Sequence, residues 1–473
     1  MKKINFISAT VALLCVTTFA RAQDVSINEK FDALLKEAYS KQVFSGNVLV
    51  AKNGNIIYQK SIGNADYNKN ISNDADTKFQ IGSISKFFTK TIILQLQEEG
   101  KVDPSDKLGK YLFGFSNTVA SKVGIQQLMD HTSGLGDYTE EQDFMQVKDQ
   151  IKIIIDILPL IQKQTLEFTP GSKTLYSNSG YVVLAAIIEK ITGKSYGEVL
   201  QQRIFEKIGM HQSGFNVFVK AETGKANGYL SNQLGTKQDN LSMHVVGGGD
   251  GGIFTSTGDL WKFVQSLLND NKLLSDSSKL RLVNTPLFPV HYTAWHEFKE
   301  KGKMAIAGGA PGISALLAIN MEKQYCFVVL SNYDERTAED VGQCISAVLN
   351  DKEPAPFHLP PSRFIYELIK NKGASYFVDH YKTELSDAGI ALDNDMILLF
   401  AGEQFLQEKD AEHAIALYKV YTKEFPDIVV AWNDMGDAYL LTGDKPNARK
   451  CFEQALKIRP ANQRAKEALQ QIH

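Results

Sequence analysis

In the stretch FQIGSISKFFTK, residues 79–90, a serine stands three residues ahead of a lysine, Ser83 and Lys86. Helical spacing of three puts both side chains on one face, with the ammonium in reach of the hydroxyl. Gly82 lets the backbone turn tightly before a helix that is expected to begin at the serine. The start of a helix favours the negative charge that develops on an attacked carbonyl. Apolar surroundings, with Phe87 and Phe88 adjacent, would favour the neutral amine of Lys86, which is a base. A capping serine beside a lysine that snorkels to solvent would give the same spacing.

A second stretch adds acid–base chemistry. Tyr176-Ser177-Asn178 follows the Pro170-Gly171 turn and directly precedes an apolar helical run. A tyrosine hydroxyl can shuttle a proton between nucleophile and leaving group, and an asparagine can hold an amide. Other signatures fail. Gly247, Gly249 and Gly252 fit G-x-G-x-x-G without a strand–turn–helix context, and read as a flexible loop beside the site. Gly193-Lys194-Ser195 lacks the leading glycine of a phosphate loop, and neither G-x-S-x-G nor H-E-x-x-H occurs. No cofactor and no metal are expected.

These residues need elements to position them. SGNVLVAKNGNIIYQKSIG, residues 45–63, reads as two strands around an Asn53-Gly54 hairpin turn. KMAIA, SALLAI and YCFVVLSN, within 303–332, read as three more strands, followed by a helix over 339–349. Between the two groups lie mainly helical segments, at 86–99, 150–162, 181–191 and 260–268. The fold class is therefore α+β: one antiparallel sheet built from N- and C-terminal strands, flanked by helices, with a mainly helical insertion. Four prolines within 351–362 mark a semi-rigid linker, and everything beyond it reads as helical. There Gly402, Phe405, Ala414, Tyr418 and Pro426 recur 34 residues on as Gly436, Tyr439, Ala448, Phe452 and Pro460. That period resembles a tetratricopeptide array, with 362–393 as a preceding helical pair of degenerate sequence. The expected domains are a leader at 1–22, a catalytic domain at 23–350, a linker at 351–361 and a helical domain at 362–473.

Length and charge bound the rest. With 473 residues the chain exceeds one ordinary core. A formal charge of −3 without a basic run argues against a nucleic-acid partner. Residues 1–23 carry Lys2 and Lys3, a short apolar run and Ala20-Arg21-Ala22. This is the pattern of a secretory signal cut after Ala22, a retained anchor being the alternative, so a periplasmic or secreted protein is expected. No other stretch is long and apolar enough to span a bilayer. Without Cys15, an odd set remains, Cys326, Cys344 and Cys451, which fits buried thiols better than a disulfide framework, a Cys326–Cys344 pair in an oxidising compartment being the alternative.

Taken together the motifs resemble the serine β-lactamase and penicillin-binding protein superfamily, nearest its class C and esterase branch. GKVDPSDKLGKYL, IQQLMDHTSGL, TPGSKTLYSNSGYVVLAAIIEKITG, GGGDGGIFTSTGDLWKF and GGAPGISALLAI follow in the family's order, from about Phe31 to Asn350. The resemblance implies Ser83 as acylated nucleophile and Lys86 with Tyr176 as the proton-transfer pair. It implies Asn178 as the group that orients substrate and Lys86, and the backbone amides of Ser83 and Gly309 as the oxyanion hole. His131, within HTSGL, is expected to be structural. The family's third motif, Lys or His, any residue, then Gly, is degenerate here: counting back from Pro311 gives Ile306-Ala307-Gly308. Lys303, an odd step away on a strand, should face the other way, so recognition of a substrate carboxylate should be weakened. Two readings compete. One is an exported serine acyl hydrolase acting on an ester, amide or D-aminoacyl or β-lactam-type bond in a small molecule or peptide, with repeats that can engage a protein partner. The other is a catalytically weak binding protein that kept the fold.

Overall fold

The computed structural model describes residues 27–140, 144–215, 224–230, 247–333, 336–393, 395–460 and 462–472. The leader expected at 1–22 lies outside them. The described chain divides into two compact units, the first ending at Pro356 and the second made of the residues from Phe357 onward together with Leu230.

The sheet of the first unit has five strands: β1 (Gly46–Lys52), β2 (Asn55–Ile62), β3 (Lys303–Ala310), β4 (Ile313–Asn320) and β5 (Tyr325–Ser331). Their order is β2-β1-β5-β4-β3. β1 pairs antiparallel with β5 from Gly46↔Ser331 to Lys52↔Tyr325, so the two ends of the unit close one sheet. The α+β reading of the sequence holds. β1 and β5 are buried along almost their whole length, whereas the edge strands β2 and β3 alternate between exposed and buried positions. Central strands covered on both faces read as continuous apolar runs, and edge strands do not. Asn53 and Gly54 both have positive φ, 51° and 77°, as a two-residue type I′ hairpin turn requires.

Among the helices that cover the sheet or carry site residues are α1 (Ser85–Glu98), α2 (Asn178–Thr192) and α3 (Thr337–Leu349). α3 lies flush on the sheet, because a Cβ on Gly342 would come within 2.2 Å of Leu316. α1 is buried on nearly all sides, with Phe88, Ile92, Ile93 and Leu94 wholly inaccessible. Two of its buried polar side chains donate outside the helix: Thr89 to the Gly249 carbonyl (2.6 Å), and the Gln95 amide nitrogen to the Leu273 carbonyl (3.2 Å). The helix expected over 150–162 is broken. Only Leu158–Gln162 is α-helical, preceded by a 3₁₀ turn at Ile154–Asp156. The Asp156 carboxylate takes the N–H groups of Lys152 and Ile153, and so caps a new start where continuous periodicity suggested none.

The second unit is all helical, from Pro361–Lys372 and Ala374–Asp387 to Gln463–Gln471. The repeat has a steric basis. A Cβ on Gly402 would lie 2.6 Å from the Tyr418 ring, and one on Gly436 would lie 2.6 Å from the Phe452 ring. Both pairs are related by the 34-residue offset, and each glycine lets an aromatic ring lie against the neighbouring helix backbone.

Candidate active site

Ser83 lies in a single 3₁₀ turn, Gly82–Ile84, and the α-helix proper starts two residues later, at Ser85. In a 3₁₀ turn, residues three apart eclipse. Lys86 Nζ accordingly donates to Ser83 Oγ at 3.1 Å. It also donates to Asn178 Oδ1 at 2.6 Å and to the Asp250 carbonyl at 2.8 Å. All three N–H bonds of an ammonium are used, although the side chain is only 5 % exposed. The apolar pocket expected around this lysine is therefore absent. Phe88 instead packs on Phe263, 4.4 Å between ring centres, and Lys86 sees acceptor oxygens and the rings of Tyr176 and Tyr181. Neighbours in sequence diverge around a helix, so adjacent aromatics do not surround the lysine.

Tyr176 comes from the segment before α2, and its hydroxyl donates to Ser83 Oγ at 2.7 Å. Its ring is stacked 4.6 Å from His131 at an interplanar angle of 15°. His131 has the left-handed φ of 58°, and its Nδ1 accepts the Ser177 N–H at 3.1 Å. Burial, then the nearby Lys86 charge, pushes its imidazole down to about 3, so it is a neutral ring supporting the phenol. Asn178 is the first residue of α2, with Ser177 as N-cap. Four side chains from two distant stretches thus meet at one oxygen or one step from it.

Across the turn lies β3. A Cβ on Gly82, which has φ of 48°, would sit 2.7 Å from the Gly309 amide nitrogen. A Cβ on Gly308 would sit 2.0 Å from the Ile81 oxygen and 2.8 Å from the Ser83 nitrogen. The two bare glycines bring the Ser83 and Gly309 amides to one seam. On β3, Met304 and Gly308 are buried and Ile306 packs against the core, while Ala305 and Ala307 are exposed. Lys303 lies on that outer face and pairs with Glu322, whereas Ile306 shares the face of Gly308, the glycine that abuts the Ser83 turn.

Sequence reasoning passed over three contributors. Asp137 and Tyr138 follow HTSGL after one glycine, Gly136, and Asp250 lies within the glycine-rich loop. Asp137 Oδ2 accepts from the Asn178 side-chain amide at 2.7 Å, and Tyr138 donates to Asp250 Oδ2 at 3.0 Å. The only prior signal was an acid and a phenol continuing the HTSGL motif. The glycine-rich loop does lie beside the site, but it is packed rather than loosely held. Cβ atoms on Gly248 and Gly249 would strike Val182 and Ala185 of α2, at 2.9 and 2.6 Å. Cys326, Cys344 and Cys451 are buried free thiols. Among the described residues no cluster of His, Cys, Asp or Glu is placed to hold a metal ion, and no helix is long and apolar enough to cross a membrane.

Known proteins share this arrangement of elements. The family model described as Beta-lactamase matches residues 27–344, and that described as Tetratricopeptide repeat matches residues 429–462. A penicillin-binding protein of Bacillus subtilis (strain 168) is 32% identical over 328 residues, covering 63% of this chain and 70% of its own. The teichoic acid D-alanine hydrolase of Staphylococcus aureus is 29% identical over 241 residues, covering 50% of this chain and 57% of its own. The crystal structure of a penicillin binding protein from Bacillus halodurans superposes with a TM-score of 0.59 at 29% identity, over 67% of this chain and 98% of that one. The chain therefore belongs to the β-lactamase family of serine hydrolases, and carries a tetratricopeptide repeat near its C-terminal end.

Proposed function

We propose that this chain is an exported serine acyl hydrolase that cleaves an ester, amide or D-aminoacyl bond through an acyl-Ser83 intermediate, with the repeats as an interaction module. The observation that carries this reading is the convergence of Lys86 Nζ and the Tyr176 hydroxyl on one serine oxygen, at 3.1 and 2.7 Å. Ser83 Oγ attacks the substrate carbonyl carbon and its proton passes to the Lys86–Tyr176 pair, which must start one proton short of the fully protonated form. The amides of Ser83 and Gly309 receive the negative oxygen. Collapse breaks the bond to the leaving group, which takes the proton from Tyr176. Water then repeats the sequence on the acyl-enzyme and releases the acid. Asn178 holds Lys86 and faces the substrate amide.

The teichoic acid D-alanine hydrolase among the relatives favours a D-alanyl ester as the bond to try first. Labelling with a fluorescent serine-directed phosphonate tests the reading. The wild-type protein should be labelled, and Ser83→Ala should lose labelling and on the order of 10⁶ in kcat. Near-wild-type turnover by Ser83→Ala would refute it.

A further inference from the structure

Lys86 reaches Ser83 with one of its three N–H bonds, and what aims that bond is the placement of the other two acceptors. Those acceptors, Asn178 Oδ1 and the Asp250 carbonyl, are each braced by one of two consecutive residues, Asp137 and Tyr138.

The amide of Asn178 has an acceptor end and a donor end of nearly equal size, so its two orientations differ little in shape. Charge separates them here. Lys86 can only donate and the Asp137 carboxylate can only accept, so a flipped amide would face a repulsive partner at each end. The same Asp137 Oδ2 also takes the backbone N–H of Asn178 at 3.1 Å, which has no partner within the helix at this first position. Its other oxygen takes the N–H and hydroxyl of Thr139, at 3.0 and 2.8 Å, which fixes the carboxylate itself. An anion at the start of α2 is in addition favoured by the helix dipole.

Tyr138 works on the other acceptor. Its backbone N–H is tied to Ser179 of α2 at 2.9 Å, and its phenol, 3 % exposed, donates to Asp250 Oδ2. Burial pushes the phenol far up, so it remains a donor. Asp250 Oδ1 takes the Gly248 N–H at 2.8 Å, and with both oxygens held the Asp250 carbonyl is fixed toward Lys86.

We infer that Asp137 and Tyr138 are positioning residues, which orient the Asn178 amide and the Asp250 carbonyl so that the remaining N–H of Lys86 is aimed at Ser83. The inference rests on the acyl-enzyme mechanism proposed for Ser83. Asp137→Asn removes the charge that forbids the flipped amide while keeping the shape.

The test is the acylation rate with a fluorescent phosphonate, measured on wild type, Asp137→Asn, Asn178→Ala and the double variant. Misplacing a catalytic group by about 1 Å can cost about 100-fold, so each single change should slow acylation roughly 10- to 100-fold. If Asp137 acts through Asn178, the double variant should match Asn178→Ala within about threefold, because the two changes remove one interaction. A merely structural role would not vanish in the Asn178→Ala background. Multiplying effects, or acylation by Asp137→Asn within about threefold of wild type, would overturn the inference. Should Asp137→Asn not fold, Asp137→Glu, which keeps the charge but displaces the oxygens, carries the same cycle with the same criteria. Tyr138→Phe should also slow acylation, and a wild-type rate there would remove Tyr138 from the proposal. Labelling of Ser83→Ala at the wild-type rate would refute the acyl-enzyme reading itself; its loss together with a multiplicative cycle would refute only the positioning role.

Discussion

The seam between Gly308 and the Ser83 turn allows a sharp test with one methyl group. In Gly308→Ala, the new Cβ would lie 2.0 Å from the Ile81 carbonyl oxygen and 2.8 Å from the Ser83 nitrogen. The Ile81 oxygen is not free to yield, since it accepts the Ile84 N–H at 3.1 Å and so closes the 3₁₀ turn. Non-bonded contacts of this kind need at least about 3 Å, so β3 must retreat by about 1 Å. An oxyanion donor works only within roughly 2.7–3.1 Å of the developing charge, a window narrower than that retreat. The variant should therefore lose one donor, worth about 10²–10³ in kcat, with KM changed far less. Overpacking should cost about 1–3 kcal/mol of stability, which lowers the melting temperature without unfolding the protein at 25 °C. Steady-state hydrolysis of a chromogenic ester, with circular dichroism as the folding control, measures both. Gly214→Ala is the matched control, because a Cβ there meets nothing within 4 Å. A folded Gly308→Ala protein with kcat within about threefold of wild type would show that this seam does not form the oxyanion hole.

Ile306→His should restore a cation on the Ser83 face of β3. That should raise kcat/KM for carboxylate-bearing substrates roughly 10- to 150-fold, with small neutral esters little changed. If wild type already prefers the carboxylate form of a matched pair by about tenfold, another cation reads it. His131 should make stability depend on acid. Its folded value of about 3 lies below the ordinary 6.5, so the unfolded chain binds the extra proton in that window. Stability from this group is fully present above about 6.5 and lost as pH falls, by about 2 kcal/mol between pH 7 and 5. Urea titrations should show a shallower loss in His131→Asn, which can keep the left-handed backbone; equal pH slopes would contradict a neutral buried ring. Ending the chain at Pro356 should leave a soluble protein that still hydrolyses small esters, and an unfolded or inert product would make the repeats part of the enzyme's own core.

Several features of this protein can be read from neighbours in the chain alone. The type I′ turn needs only Asn53-Gly54, and the Ser83–Lys86 contact needs only a spacing of three. The helical repeat needs only small and aromatic residues recurring at one offset, and the sheet's inner strands need only unbroken apolar runs. Where two local signals compete, the periodic pattern misleads: Asp156 capped a new start inside an apolar run that read as one helix. The environment of Lys86 was not legible at all. Phe87 and Phe88 are adjacent in sequence and suggested an apolar pocket, yet the lysine's partners are 92 and 164 residues away. Asp137, Tyr138 and Asp250 carry no periodicity and no spacing that marks them. Which residues can donate, accept or turn is legible in the chain, because those are properties of single side chains and short spans. Which donor meets which acceptor is settled by folding, because a hydrogen bond depends on tenths of an ångström between segments whose separation along the chain sets no distance in space.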